Sequence, residues 1–425
     1  MVSSLERTDS VAVRDVSPPP GLPAAVGDRL RAVLGRVLAA GVPLVRRALR
    51  WFVREALPPI AVYAAIRLLG LVPLVVVADH LGVNGISRLD TYDAPRLLGL
   101  AESGYDPLVP LPTPENPGGV SNIAFFPLYP GLVRLLTVVP GLGLLAAGYV
   151  VTALAGAAAA VGLDRFGRLV PGGRRAGLVL VALVACWPHS VVLAMPYTEA
   201  LFLALAAWSL VAVLTRHWIT GGVLALLAGA TRPLGTALAG ALVVAALVAV
   251  VRAALRERRL EWRPIVAAVL APLGFLGYSG WLWSRTGRPD AWFWVQEHEW
   301  HSTFDGGRFS LEQLARAAYG EYPLVLVVNA LVLVAAVVLL LALLVERTPV
   351  VVAVYALLGT LSVVGAAGYP NSKARFLLCV FPLLVPLVRG LARTPWRTIV
   401  VLLVGLALVS GWYNAFVLTA WRYSP

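Results

Sequence analysis

Long apolar runs make up most of this chain, many of them about as long as a bilayer is thick, and this limits the fold before any motif is read. They fall at approximately 57–78, 142–162, 176–194, 198–215, 218–231, 234–251, 264–284, 323–345, 350–367, 374–391 and 396–418. A helix needs roughly 17 to 25 apolar residues to cross a membrane. Inside lipid every backbone N–H and C=O must be bonded within the protein, which only helices and closed barrels achieve. The alternating ten-residue strands of a barrel are absent from the sequence. The expected fold is therefore all-α, a polytopic transmembrane bundle of about 11 spans. Composition agrees: 13% of residues are charged, against about a quarter in a soluble domain. The runs 218–231 and 234–251 are short, and short Gly/Pro-interrupted spans tend to line a cavity.

Arginine placement sets the orientation. With the N-terminus in the cytoplasm and the runs alternating, the inner segments are 1–55, 163–176, 216–217, 252–263, 346–349 and 389–397. They hold 23 of the 35 basic residues and nine of the 22 acids. The basic balance is thus a topology signal, and a nucleic-acid role loses its support. Residues 1–27 read as a disordered tail, with no short apolar core and hence no cleavable signal peptide expected. Residues 28–55, rich in arginine, read as a basic interfacial helix or as a plain basic segment that orients the chain. Residues 56–425 form the transmembrane domain, with long outer loops 79–141 and 285–322. Cys186 and Cys379 lie inside apolar runs and read as small core residues.

The outer segments carry the unusual chemistry. The first holds Asp90, Asp93, Glu102 and Asp106, then Asn122-Ile-Ala-Phe-Phe-Pro-Leu-Tyr-Pro130, whose prolines prevent a regular helix and whose Phe126 and Tyr129 suit the headgroup layer. The stretch up to Pro140 is expected to hold interfacial helices. Glu199, in Met195-Pro-Tyr197-Thr-Glu199, borders an apolar run and either caps a helix or serves a site. Arg232, between two short runs, either grips a phosphate with its planar fork or satisfies helix-end carbonyls. Lys373, the one lysine, stands two residues before Arg375 at a helix start, an arrangement that suits an anion or ordinary anchoring. Trp292, Trp294 and Trp300 suit an interface or a sugar ring. His298 and His301 stand three apart with glutamates beside them, but the pattern is not that of a helical His-Glu-x-x-His zinc site, so no metal is expected.

Several of these elements resemble, in kind and order, those of the PIG-V-type membrane mannosyltransferases, the second mannosyltransferase of GPI-anchor synthesis and its bacterial relatives. They are Tyr92-Asp93, Ala101-Glu-Ser-Gly104-Tyr105, Phe125-Phe-Pro-Leu-Tyr-Pro130, Pro196-Tyr-Thr-Glu199, Ala230-Thr-Arg-Pro233 and Lys373-Ala-Arg375-Phe376, across most of residues 60–395. The chain departs from the family pattern at Tyr92, where Trp is usual, and at Arg96-Leu97, where an aromatic pair is. The resemblance implies the type-C glycosyltransferase fold and a metal-independent, inverting transfer of a sugar, mannose by family, from a polyprenyl-phosphate donor. A lipid, glycan or protein would be the acceptor, at the extracytoplasmic face of a cell membrane, with no cofactor beyond the lipid-linked donor. It implies Asp93 as the base, with Asp90 as the alternative. Arg232, Lys373 and Arg375 are candidate phosphate holders, and Tyr105, Phe126, Tyr129, Tyr197, Glu199, His298 and His301 candidate substrate contacts. A multi-span transporter or a lipid-binding membrane protein would share the apolar runs. A transporter would more often show internal repeats and mid-membrane polar groups.

Overall fold

The computed structural model describes residues 46–47, 49–106, 121–258, 260–320, 322–421 and 423–424. The expected tail 1–27, most of the basic segment 28–55 and the middle of the first outer loop lie outside these. The described end of the basic segment is helical, with a π turn at Phe52–Ala56. The chain divides into two units, Met1–Leu57 and Pro58–Pro425.

The second unit is an all-helical body. After α1 (Leu57–His80), the first long loop holds α2 (Asp93–Ser103) and α3 (Leu128–Leu136). There follow α4 (Leu144–Gly167), α5 (Gly173–Ala185), α6 (Glu199–Leu214), α7 (Trp218–Gly229), α8 (Gly235–Arg252), α9 (Trp262–Leu270) and α10 (Leu273–Thr286). The second long loop carries α11 (Ala291–His298) and α12 (Arg308–Ala318). Then come α13 (Leu324–Val345), α14 (Val350–Val364), α15 (Lys373–Leu378), α16 (Val385–Leu391) and α17 (Trp396–Thr419). Among the described residues the one extended pairing is an isolated bridge between Phe304 and Ala366. Pro323, Pro349 and Pro395 each stand just before a helix. A helix start needs no N–H from that position, and proline's fixed φ already suits it.

Among the described residues six helical stretches are long and apolar enough to cross a membrane, and a bent pair, Pro370–Leu378 with Phe381–Leu391 at 75°, makes up to seven. Length and composition thus give six or seven helices able to cross, where the sequence reading counts eleven spans. The difference lies in α6, α7 and α14, which are short, and in α5, which continues from α4 in one helical stretch, Leu144–Ala185. That stretch is a hairpin. A Cβ on Gly167 would lie 2.6 Å from the Gly177 Cα, whereas ten residues of straight helix would separate them by about 15 Å. The reversal falls at Gly172 and Gly173, whose φ of 101° and 82° favour glycine. The lateral surface is apolar: Leu331 and Val338 on α13, and Val401 and Val409 on α17, are exposed. A surface of this kind suits lipid, and the architecture is that of a multi-pass membrane protein.

Two features position the polar end of the body. The first is close backbone contact among α7, α8 and α10. A Cβ on Gly235 would fall 2.6 Å from the Gly229 nitrogen, and one on Gly274 would fall 2.7 Å from the Ala230 nitrogen. Small residues let helices approach where lipid gives no hydrophobic drive. The second is the unwound chain from Cys186 to Thr198, between α5 and α6. Its carbonyls find donors: Arg67 bonds the Ser190 oxygen, Tyr63 Oη donates to Leu193 at 3.4 Å, and Thr152 Oγ1 donates to Met195 at 3.0 Å. Unwound backbone is tolerated at this depth because it is satisfied by protein.

The long loops meet where the Ser121 N–H donates to Glu299 Oε2 at 2.6 Å. Within the first loop Asp106 and Asn122 exchange backbone N–H to side-chain bonds of 3.0 Å each way, and the second loop is tied to the end of α14 by the Asp305 N–H, which donates to the Gly365 carbonyl at 3.0 Å.

Candidate functional site

Four segments distant in sequence converge on a chain of ion pairs. Asp93 opens α2, Glu199 opens α6, Arg232 lies in the turn between α7 and α8, and Arg375 lies in α15. Arg375 Nη1 donates to Asp93 Oδ2 at 2.9 Å, and its Nε stands 3.3 Å from Glu199 Oε1. The same Glu199 oxygen is 2.5 Å from Arg232 Nη1. Two carboxylates and two guanidinium groups thus alternate and sum to zero charge. Glu199 is 1% exposed and Arg375 6%, and charges buried so deeply persist only when paired. The Asp93 side chain, 19% exposed, is the open end of the series.

Aromatic rings hold the guanidinium groups in place. Arg232 and Arg375 lie 5.4 and 5.0 Å from the centre of the Phe376 ring, and Arg375 lies 5.5 Å from that of Tyr197. Tyr197 also clamps the turn that presents Asp93. The Asp93 N–H donates to the Tyr197 hydroxyl at 3.0 Å, and that hydroxyl donates to the Thr91 carbonyl at 3.3 Å. Tyr92, just before Asp93, has φ 61°. Positive φ in a bulky residue costs on the order of 1–3 kcal/mol, so the surrounding contacts must enforce this turn.

Of the sequence-derived candidates, Asp93, Tyr197, Glu199, Arg232 and Arg375 contact one another directly, and the others are not among these contacts. Asp90 ends a 3-10 turn, Ser87–Asp90, and is not a member of the ion-pair chain. Lys373 and Arg375 do not form a joint anion site. Residues two apart on a helix point to opposite sides, and Lys373 Nζ is turned away to Ser310 Oγ (2.8 Å) and the carbonyls of Val363 (2.9 Å) and Ala366 (2.5 Å). Thr198 is not a side-chain cap for α6, because its hydroxyl accepts from Arg232 Nη1 at 3.0 Å instead. Phe126 and Tyr129, expected at the headgroup layer, are buried. Phe126 packs among Phe275, Tyr278 and Trp292, and Tyr129 donates to the Gly148 carbonyl at 3.0 Å. Tyr105 donates to the Phe125 carbonyl at 3.0 Å and sits 4.8 Å from the Trp281 ring. His298 stacks on Trp294 at 4.5 Å, and His301, with φ 50°, is exposed. Among the described residues no three His, Cys, Asp or Glu side chains gather as metal ligands.

Sequence reasoning named Thr198 only as a helix cap and Phe376 only as part of a motif, and it missed Ser424. Phe376 follows Arg375 directly, so its position was a usable signal. Ser424 had none: its hydroxyl lies 3.4 Å from Arg375 Nη1, and its carbonyl accepts from Asn371 Nδ2 at 2.5 Å.

Chemically, the cluster offers one partly open carboxylate whose partner cation is itself shared with a buried second carboxylate. An anion arriving at Arg375 would compete with Asp93 for it. No family model matches this sequence, no curated protein matches it, and no solved structure matches this fold.

Proposed function

We propose that this chain is a membrane glycosyltransferase that moves a sugar, mannose by its resemblance to the PIG-V type, from a polyprenyl-phosphate donor to a lipid, glycan or protein acceptor. The observation that carries the reading is the Asp93–Arg375–Glu199–Arg232 series of ion pairs at the loop-bearing end of the helical body. In the reaction, the acceptor hydroxyl attacks the anomeric carbon and Asp93 takes its proton. The bond from that carbon to the phosphate oxygen breaks, and the lipid phosphate leaves with the electron pair. Displacement from the opposite face inverts the anomeric configuration. Arg375, drawn from Asp93 toward the phosphate, stabilises the departing charge and frees the carboxylate. Arg232 keeps Glu199 neutralised during this exchange. No metal and no cofactor enters these steps.

In this reading the fold is of the type-C glycosyltransferase kind and the chain crosses eleven times. The crossings are α1, α4, α5 with the unwound segment, α6, α7, α8, α9 with α10, α13, α14, α15 with α16, and α17. The N-terminus is cytoplasmic and the ion-pair chain extracytoplasmic, in a cell-envelope membrane. A second reading, a transporter, draws on the 75° break beside Arg375, because broken helices also build transport sites.

The deciding experiment follows transfer from radiolabelled polyprenyl-phosphate mannose in membranes with and without the protein. Transfer should require the protein, and Asp93→Asn should lower the rate about 10²- to 10⁴-fold while the protein stays folded in detergent. Full activity in that variant refutes Asp93 as base. Label that crosses sealed vesicles without being transferred favours the transporter.

A further inference from the structure

At the opposite end of α7 and α8 from Arg232 lie two adjoining cavities of about 430 and about 260 Å³. The distance is that of a long helix, since α8 runs from Gly235 to Arg252, about 27 Å at 1.5 Å per residue. Arg216 and Trp218 line both cavities. Arg263 and Trp262 complete the polar wall of the larger, and Arg252 that of the smaller. Glu261 is the one acid among the described lining residues.

Beyond Trp218, itself 8% exposed, the smaller cavity is apolar, running past Val248 on α8 to Val351 on α14. Three arginines on the cavity walls, with an apolar trough behind, match one ligand chemistry: an oxyanion attached to an acyl chain.

We propose that these cavities bind one anionic phospholipid, with its phosphate held by Arg216, Arg252 and Arg263 and a chain lying along Val248 and Val351. Anionic lipids are enriched at a cytoplasmic leaflet, where each arginine adds to the attraction. The proposal is independent of any sugar transfer at the far end.

The test uses the purified full chain in detergent, offered phosphatidylglycerol and phosphatidylcholine in equal amounts and read by native mass spectrometry. Wild type should retain phosphatidylglycerol in preference. The triple variant Arg216→Gln, Arg252→Gln, Arg263→Gln should lose about fivefold in retention per arginine, on the order of 100-fold together. Glu261→Gln should gain about fivefold, a direction that a misfolded protein would not produce. Equal retention of both lipids by wild type, an unchanged triple variant or an unchanged Glu261→Gln overturns the proposal. Displacement of the lipid by inorganic phosphate at matched ionic strength overturns it too, since the cavities would then read a free anion.

Discussion

Glu199→Gln isolates what the central carboxylate does, because it removes one charge and almost no shape. In the native cluster Glu199 Oε1 serves Arg232 at 2.5 Å and Arg375 at 3.3 Å. After the substitution Arg375 keeps Asp93, whereas Arg232 keeps the neutral Thr198 hydroxyl, the Phe376 ring and an uncharged amide oxygen. One guanidinium, on a residue 9% exposed, is then left without a countercharge. Breaking a buried pair costs about 3–5 kcal/mol, and a surface pair about 0–1 kcal/mol. Since only one of the two cations is orphaned, about 3 kcal/mol is expected. Equilibrium unfolding in mixed micelles titrated with dodecyl sulfate, followed by the fluorescence of the 13 tryptophans, measures it. Arg232→Gln on its own should cost a similar amount. The double variant restores neutrality, so its penalty should fall below the sum by about 0.5–3 kcal/mol. A Glu199→Gln cost under about 1 kcal/mol, or strict additivity of the two changes, would refute the account of a buried, mutually dependent pair.

Three further outcomes are expected. Gly274→Ala should destabilise by about 1–3 kcal/mol or more, because its Cβ would crowd the Leu226 carbonyl and the Ala230 nitrogen. Gly277→Ala, with open space around it, should stay within about 0.5 kcal/mol in the same titration, and equal effects would refute the close-contact reading. Lys373→Met should weaken the fold, stranding acceptors at Ser310, Val363 and Ala366, yet leave transfer per folded molecule intact. Arg375→Met should lose transfer, and equal loss in the two variants would contradict their separation. The N–H groups of Phe309 and Gly307 hold the Asp305 carboxyl below its usual range. Its contribution is therefore present above the unfolded value of about 3.9 and is lost as pH falls through the lower folded value. The protection of the Phe309 amide relative to its intrinsic exchange rate should fall in acid, and Asp305→Asn should flatten that dependence.

How far the sequence carried the interpretation depends on what kind of force acts at each position. Apolar runs were legible as helix because lipid leaves backbone no alternative, and every one of the eleven runs carries helix. Their number as crossings was not legible, since α6, α7 and α14 are shorter than a bilayer is thick and α4 and α5 are continuous by helical pattern. Glu199, Arg232 and Arg375 could be singled out because a charge amid apolar residues must find a partner. Which partner it finds depends on the angle at which a side chain leaves its helix. That is why Lys373 and Arg375, two residues apart, separate into different networks. Phe126 and Tyr129 were read as interfacial from composition. The ring cluster and the Gly148 carbonyl that bury them lie far along the chain or across a turn, and no local pattern marks them. Ser424 lies in a short polar end with no signal at all.

The order in which these charges leave the ribosome bears on how such a chain can enter lipid at all. Glu199 and Arg232 are separated by little more than one helical hairpin, so they can neutralise each other while the next segments are still being made. Arg375 is synthesised 143 residues after Arg232, on the order of ten seconds later at common elongation rates. Until then Asp93, the most open member of the series, is without the Arg375 that it bonds in the finished fold. Biogenesis therefore divides into an early stage in which Glu199 and Arg232 can neutralise each other and a late one in which Arg375 joins them to Asp93.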